Sequence, residues 1–570
     1  MGGIYHADLN DLTRDDWKDP SNHLIGGQPD MSIVRSATYV VAASDAPAHV
    51  KAQADYKCSD YASDDLAIQA AYDAGGAGTY QLSQGTFILS TPVYPPSNSI
   101  TRGMGRSTII RDWGVYLQYG YPTGTRTNIT LEDFVIDCNS VGSYGVLVRN
   151  ASKFRIHNLE IKNTVVECIF CYSMAGDALQ VTDFEISSNY LHAAPESAIR
   201  LSGTFPCARF LIRDNIIDSC CSANTTTRSS IEVDFATEGI IDSNIITNHL
   251  GHNTASASIR VYLIPSGGVS VTNNKSSSSL DMSYYINTCE GVLVSNNSSR
   301  SSAWGGFVSE NSNHTQFMSN FSYRDKQGCI SIGMGGDYDK YIQIMGNKII
   351  EPSTYGIYSE YTGSLITNNW ILNPGYGSET PTYPAIEVLS GATVCEGNMI
   401  YDLQTPATMK YGILMIDGAT EISESFIKSN TITGATTAKY KTSGTECEFD
   451  QTIFATASLD LSGASTDIPI YHAVKQGFLA GYSILYTEAS SGDAGVAVRI
   501  GRYQSGVALD DDYFDTSTSE VSKALGYNKH FVSGDLTQSA IALGDTITAG
   551  TAGSKTGTGE VRIILQIANG

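Results

Sequence analysis

The chain is short of positive charge. Lysine and arginine total 35 against 58 aspartates and glutamates, a net charge of −23. Such a surface repels phosphate backbones and anionic lipid, which argues against nucleic acid and membrane surfaces as partners. It does not exclude an acidic polysaccharide, because one local basic groove overrides the mean. Long apolar runs are also missing, and nothing approaches the ~20 continuous apolar residues of a membrane span. The first ten residues, Met1 to Asn10, contain neither a basic nor an apolar stretch, so no secretion signal is expected. The eleven cysteines form no framework. An odd count with Cys220 and Cys221 adjacent reads as buried free thiols in a protein folded in a reducing cytosol. Charged residues make up only 16 %, while glycine (54) and tyrosine (33) are plentiful, a profile of strands and tight turns. At 570 residues, two or three structural units are expected.

What is present is a repeat. Asparagine recurs at Asn158, Asn189, Asn215, Asn244, Asn273, Asn296, Asn320, Asn347, Asn368, Asn398 and Asn430, at steps of 21 to 32 residues. Short apolar segments flank it, as in Asn215-Ile-Ile217 and Asn347-Lys-Ile349. Between successive asparagines stands a second column, a small residue followed by Ile-x-Val: Ala198-Ile-Arg-Leu201, Ser230-Ile-Glu-Val233, Ser258-Ile-Arg-Val261, Ala385-Ile-Glu-Val388. One unit of about 27 residues thus reads strand, Asn turn, strand, variable loop, strand. Such units stack into a solenoid at the strand spacing of ~4.8 Å, and an internal asparagine at the same turn bonds those above and below. Leucine-rich and helical-pair repeats do not fit, for want of the Leu frame and because each unit is rich in Gly, Ser and β-branched residues.

Three units follow. Residues 1–45 form a polar N-terminal arm, with Trp17 and a turn around Gly26-Gly27-Gln28-Pro29, suited to docking on a partner. Residues 46–450 form the solenoid, preceded by a capping helix at about 63–74, with Ser63 as N-cap and Ile68, Ala71 and Tyr72 on one face. Residues 451–570 alternate in the manner of a compact C-terminal β-sandwich.

Asp64-Asp-Leu-Ala-Ile-Gln-Ala-Ala-Tyr-Asp73, then Gly75-Gly76, Gly85-Thr-Phe-Ile88, Pro95-Pro-Ser-Asn98 and Gly103-Met-Gly105, resemble the opening of the pectate-lyase-like superfamily. The resemblance covers roughly residues 50–450 and implies an all-β fold, a right-handed parallel β-helix. With an arm, a C-terminal sandwich and no signal, the whole resembles a bacteriophage or archaeal-virus tailspike. That resemblance implies a homotrimer on the virion, attached to other virion proteins by its arm, binding and often depolymerising host surface polysaccharide. A non-catalytic adhesin or decoration protein is the alternative. The pectate lyase Arg-x-Pro-x-x-Arg segment is absent, echoed only by Arg260-Val-Tyr-Leu-Ile-Pro265, and so are the polygalacturonase Asn-Thr-Asp, Gly-His-Gly and Arg-Ile-Lys segments. Those two reactions are disfavoured.

In the superfamily, the strand after the variable loop resembles the floor of the glycan groove. With Ile199, Ile231, Ile259, Ile357 and Ile386 inward, an outward column reads Arg200, Glu232, Arg260, Asn287, Val308, Ser331, Tyr358, Glu387. Two residues on, a second reads Ser202, Asp234, Tyr262, Cys289, Glu310, Gly333, Glu360, Leu389. Glu232 and Asp234 then lie ~6–7 Å apart, near the ~6.5–9.5 Å of an inverting acid–base pair, with hydrolysis favoured over elimination. Arg200 and Arg260 flank them to hold a sugar acid or phosphate, and Tyr262 and Tyr358 offer rings for sugars. Glu387 joins the substrate-binding set, and Glu310 with Glu360 is the second catalytic choice. The same Arg-Glu-Arg column also reads as a cross-strand charge ladder with no substrate. The loop pair His249-Leu-Gly-His252 is a lesser groove candidate. No metal or other cofactor is expected, since Cys168-Ile-Phe-Cys171 has no second pair to complete a zinc site.

Overall fold

The computed structural model describes residues 37–442 apart from short loop segments, the longest being 119–123, 334–340 and 417–424. Beyond that span it describes backbone strands at 24–25, at 28–29 and between 447 and 569. Residues 1–23, most of the expected arm, lie outside the described residues.

The repeat folds as a parallel β-helix whose coils each give one strand to three walls. One coil runs Thr182–Ser187 on the first wall, Tyr190–His192 on the second and Ile199–Gly203 on the third. The chain then re-enters the first wall at Cys207–Arg213. Successive coils pair in parallel on all three walls, giving 14 strands in the second wall and 13 in the third. The first wall starts earlier than composition suggests. Tyr39–Ala42 pairs with both Tyr56–Lys57 and Gly78–Leu82, so the solenoid begins inside the segment set apart as an arm. That strand is only four residues long, too short for its alternation to stand out.

The isoleucine column of the third wall points inward as expected. Ile169, Ile199, Ile231, Ile259, Ile330, Ile357, Ile386 and Ile413 are all fully buried in one continuous core. Stacked at strand spacing, each removes most of its apolar surface from water, about 1.5–3 kcal/mol per side chain against an extended chain.

The asparagine column resolves into two. Ten residues (Asn189, Asn215, Asn244, Asn274, Asn297, Asn320, Asn347, Asn369, Asn398 and Asn430) form an internal ladder, each Nδ2 donating to the next Oδ1 at 2.9–3.2 Å. Each backbone N–H donates to the same oxygen, and Nδ2 gives its second proton to a carbonyl of the preceding coil. No polar atom of the amide is left unpaired, which is what allows it in the core. Asn158, Asn273, Asn296 and Asn368 belong instead to the position just before the ladder, where φ is positive (51° to 57°). Ser188, Asp214, Ser243 and Gly346 fill the same place in other coils. Where two asparagines are adjacent, the first makes the left-handed turn, which Asn tolerates, and the second enters the core.

A helix at Asp64–Gly75 buries Ile68, Ala71 and Tyr72 against the first strands of the solenoid. Ser63 holds the N-cap position but makes no side-chain cap bond. The two acids of the first turn bond strand backbone instead: Asp64 accepts from Ile88 N at 2.6 Å and Asp65 from Ser90 N at 2.9 Å. The helix stops at Gly76, whose φ of 56° favours glycine. No described helix is long and apolar enough to cross a membrane. From Ile453 onward the strands pair antiparallel in two sheets, one of five strands and one of four. Among the described residues, Cys58, Cys138, Cys168, Cys171, Cys207, Cys220, Cys221, Cys289 and Cys395 are all buried.

Candidate functional site

The third wall presents its outer face between loops, and the register of its strands decides which side chains meet there. Arg200, Glu232 and Arg260 are direct neighbours on successive coils, and Asp234 stands opposite Tyr262. One coil further the columns differ from the sequence reading. Arg260 meets Tyr285, and Tyr262 meets Asn287, so Asn287 belongs to the second column and Cys289 to neither. The reason is packing. Tyr284 replaces isoleucine at the inward position, fully buried and stacked on Phe307 at 4.7 Å, and this sets the frame two residues earlier than Ile286 suggests. From Asn287 the second column continues to Glu310.

Around Glu232 the wall is roofed by loops, and the carboxylate is 0 % exposed. Arg228, on the loop before the strand, donates from Nη1 to Oε1 at 2.9 Å, and Arg200 Nε lies 3.3 Å from the same oxygen. Ser229 N and Ser197 Oγ donate to Oε2 at 3.2 and 3.3 Å. Arg228 also holds Glu196 at 2.9 Å, and Arg200 holds Glu167 at 3.2 Å. Burial pushes Glu232 up, yet the hydrogen bond from Asp234 and the guanidiniums of Arg200, Arg228 and Arg260 outweigh it and keep the group low. Asp234, half-buried, is driven the other way, first by burial and then by the charge of Glu232. The pair therefore splits: Glu232 gives up its proton first, and Asp234 holds its own up to about 7.

The roofing loop is pinned from below. His249 is fully buried, with Nδ1 2.9 Å from Ser230 Oγ and Nε2 2.8 Å from Ser256 Oγ. Ser256 Oγ donates onward to the carbonyl of Arg228 at 2.5 Å. That hydroxyl must then accept from His249, which places the proton on Nε2 and leaves Nδ1 to accept from Ser230. Burial holds the imidazole down at about 3, so it stays neutral. His249 is thus an anchor beneath the surface and not a groove residue, and His252 lies outside the described residues.

Two further groups share the face. Toward the N-terminal end, Tyr94, Tyr116, Tyr144 and Phe170 follow one another with ring centroids 5.5–6.3 Å apart, and Arg200 covers Phe170 at 5.1 Å. Toward the C-terminal end, Glu310 accepts from Tyr285 and from Asn287, the latter at 3.1 Å, and burial raises its carboxyl. Tyr358 hydrogen-bonds Glu360 and stacks with Tyr355 at 5.1 Å, while Tyr383 meets Tyr355 edge-on at 5.7 Å. Glu387, in register with Tyr358, is raised by burial and then by Glu360. Glu310 and Glu360 are two coils apart, about 10 Å. No described cluster of His, Cys, Asp and Glu has the arrangement of a metal site, and Cys168 and Cys171 are both buried in one strand.

Sequence reasoning missed Glu196 and Arg228, which lie on variable loops outside any column. It missed Glu167 because that strand begins two residues before the repeat consensus, and it missed the aromatic run because most of its rings lie on coils that precede the asparagine ladder.

No protein family matches the sequence, and no curated protein matches it. Among solved structures, the chain is similar to the tailspike protein of Escherichia coli bacteriophage HK620, solved with a pentasaccharide. Identity is 12 %, the TM-score 0.48, and 88 % of this chain and 89 % of that one are covered. It is similar also to a GH87 α-1,3-glucanase catalytic unit from Streptomyces thermodiastaticus (12 %, 0.43, 66 % and 67 %). A third likeness is to the A-module of a mannuronan C-5 epimerase from Azotobacter vinelandii (15 %, 0.39, 70 % and 100 %). With identity and superposition this low, function has to be argued from this chain's own side chains.

Proposed function

We propose that the outer face of the third wall binds an extended host surface polysaccharide, and that the protein is a virion tailspike that depolymerises it. The observation that carries this is the continuity of the face. Aromatic rings, hydrogen-bonding acids and arginines recur on a single wall over ten coil steps from Tyr116 to Glu387, with Ser331 standing in for them on one coil, about 48 Å at strand spacing. Rings that present one face suit sugars, and a flat, regular floor suits a repeating polymer.

For cleavage, the burial of Glu232 reassigns the roles within its pair. Asp234 is the proton donor to the leaving oxygen, and Glu232 serves by keeping Asp234 protonated through its charge. Glu196, ion-paired to Arg228 with a side chain 21 % exposed, is the carboxylate of the cluster best placed to activate water. Glu310 with Glu360 is the second choice. In this reading the chain acts as a homotrimer, its N-terminal arm joins other virion proteins, and the C-terminal strands form a sandwich for trimerisation or carbohydrate binding. The helix at Asp64–Gly75 caps the stack.

The alternative, a non-catalytic adhesin, is favoured by one observation: Arg200 and Arg228 satisfy Glu232 completely without a substrate. Incubating the purified protein with candidate host polysaccharide, and following chain length by size exclusion and product mass, separates the two. Shortening that disappears in Asp234→Asn and falls in Glu196→Gln, with melting unchanged, supports the depolymerase. Shortening indifferent to both moves the chemistry to Glu310 and Glu360. Retention of polymer without shortening favours the adhesin.

A further inference from the structure

Three arginines stand on the central part of this face, and their partners are unequal. Arg228 holds Glu196 and Glu232, and Arg200 holds Glu167 and Glu232. Arg260 forms no ion pair among the described residues. Its Nη1 donates to the carbonyl of Thr227 at 3.0 Å, and its guanidinium lies over the Tyr262 ring at 4.6 Å. These two contacts fix the plane of the fork without neutralising its charge. Its Nε is buried and has no hydrogen-bond partner.

Asp234 stands beside it, in register with Tyr262 on the same strand as Arg260. Its Oδ1 is likewise buried without a partner. Two orphaned polar atoms on adjoining coils are costly unless something completes them. Burial and the charge of Glu232 raise the Asp234 carboxyl to about 7, and its hydroxyl is turned to Glu232, so beside Arg260 stands a carboxyl only partly ionised at neutral pH. Glu232, one coil below, feels the charge of Arg260 but makes its ion pairs with Arg200 and Arg228. A neutral sugar would satisfy the hydrogen bonds here but leave the guanidinium charge unpaired. An anionic oxygen satisfies both, since a fixed guanidinium fork matches a carboxylate or phosphate.

We infer that the ligand of this face carries an anionic oxygen group, and that Arg260 receives it beside Asp234. This rests on the carbohydrate reading above and adds the charge of the ligand. The rest of the surface opposes such a ligand, because the chain carries a net charge of −23. Retention of the anionic group therefore depends on this one spot. The anion is a sugar carboxylate or a phosphate ester, chemistry that Arg260 alone does not distinguish.

The test uses the full chain and a panel of bacterial surface polysaccharides, neutral and acidic. Each acidic one is prepared as native polymer, as carboxyl-reduced polymer after carbodiimide and borohydride, and as dephosphorylated polymer. Affinity is measured for wild type, Arg260→Gln and Arg260→Lys, with melting temperature as the check on folding. The wild type should retain an acidic polymer and lose roughly tenfold or more on one of the two treatments. Loss on carboxyl reduction identifies a sugar acid, and loss on dephosphorylation a phosphate ester. Arg260→Gln should show the same loss on native polymer and no further loss on the treated one, with Arg260→Lys between the two. If bound polymers keep their affinity through both treatments, if only neutral ones are retained, or if folded Arg260→Gln binds native polymer as wild type does, the inference fails while the carbohydrate reading stands. If nothing in the panel is retained, both fail. Should Arg260→Gln not fold, the chemical treatments on wild type decide alone.

Discussion

Arg228 and Glu232 are joined at 2.9 Å across the junction of a loop and a strand, and the bond seals a carboxylate that is 0 % exposed. With Arg200 on the same oxygen, Glu232 is the centre of a buried charge network and not an acid facing solvent. The outward column read from alternation is real in its register, but the loop above it turns one of its members into an interior residue.

Glu232→Gln and Arg228→Ala should both destabilise the fold, by about 3 kcal/mol each, because each removes one member of a buried charge network and leaves the rest incompletely paired. Thermal or denaturant unfolding measures this. An unchanged melting temperature in both variants would contradict it.

The asparagine ladder predicts a position-dependent penalty. Asn297→Ala leaves the backbone N–H and one of the two Nδ2 protons of Asn274 unpaired in the core, at about 1–3 kcal/mol for each. Asn430→Ala, at the half-buried end of the ladder, removes the same bonds from Asn398, but water reaches that site. Comparative unfolding should rank Asn297→Ala as clearly the worse.

Two buried groups under the same loop should give opposite pH slopes of stability. Burial raises Asp281 to about 7 from an ordinary 3.8. The folded state then binds a proton the unfolded state has lost, so this contribution falls as pH rises from about 4 to about 7. His249 is held near 3 against an ordinary 6.5. Its contribution is fully present above 6.5 and falls as pH drops below that value. Asp281→Asn should flatten the first slope and His249→Gln the second, read as melting temperature against pH.

Tyr358 should matter to the ligand through its ring. Tyr358→Ala is expected to weaken polysaccharide binding by about 1 kcal/mol, or about fivefold, whereas Tyr358→Phe keeps the stacking face and most of the affinity. Equal losses in both would place the effect in the hydroxyl and its bond to Glu360.

Much of the architecture is legible because a solenoid repeats one local problem many times. Ile199, Ile231 and Ile259 occupy one inward position on consecutive coils, and so the period, the wall and the outward neighbours can be read without coordinates. The reading slips where one side chain substitutes for another of the same kind. Tyr284 does the work of isoleucine and displaces Asn287 by one column. The doublets at Asn273, Asn296 and Asn368 hide which of two asparagines turns and which enters the core.

The chain alone determined the coil, its Asn turn, the inward isoleucines and the juxtaposition of Arg200, Glu232 and Arg260, because strand alternation and a stacking period are properties of local sequence. Only the tertiary structure decided which acids keep access to solvent. Glu196 and Arg228 come from variable loops that follow no period, and it is their fold over the wall that buries Glu232 and leaves Asp234 half-open. Burial and pairing depend on what lies above a residue in space, and no repeat in the sequence encodes that.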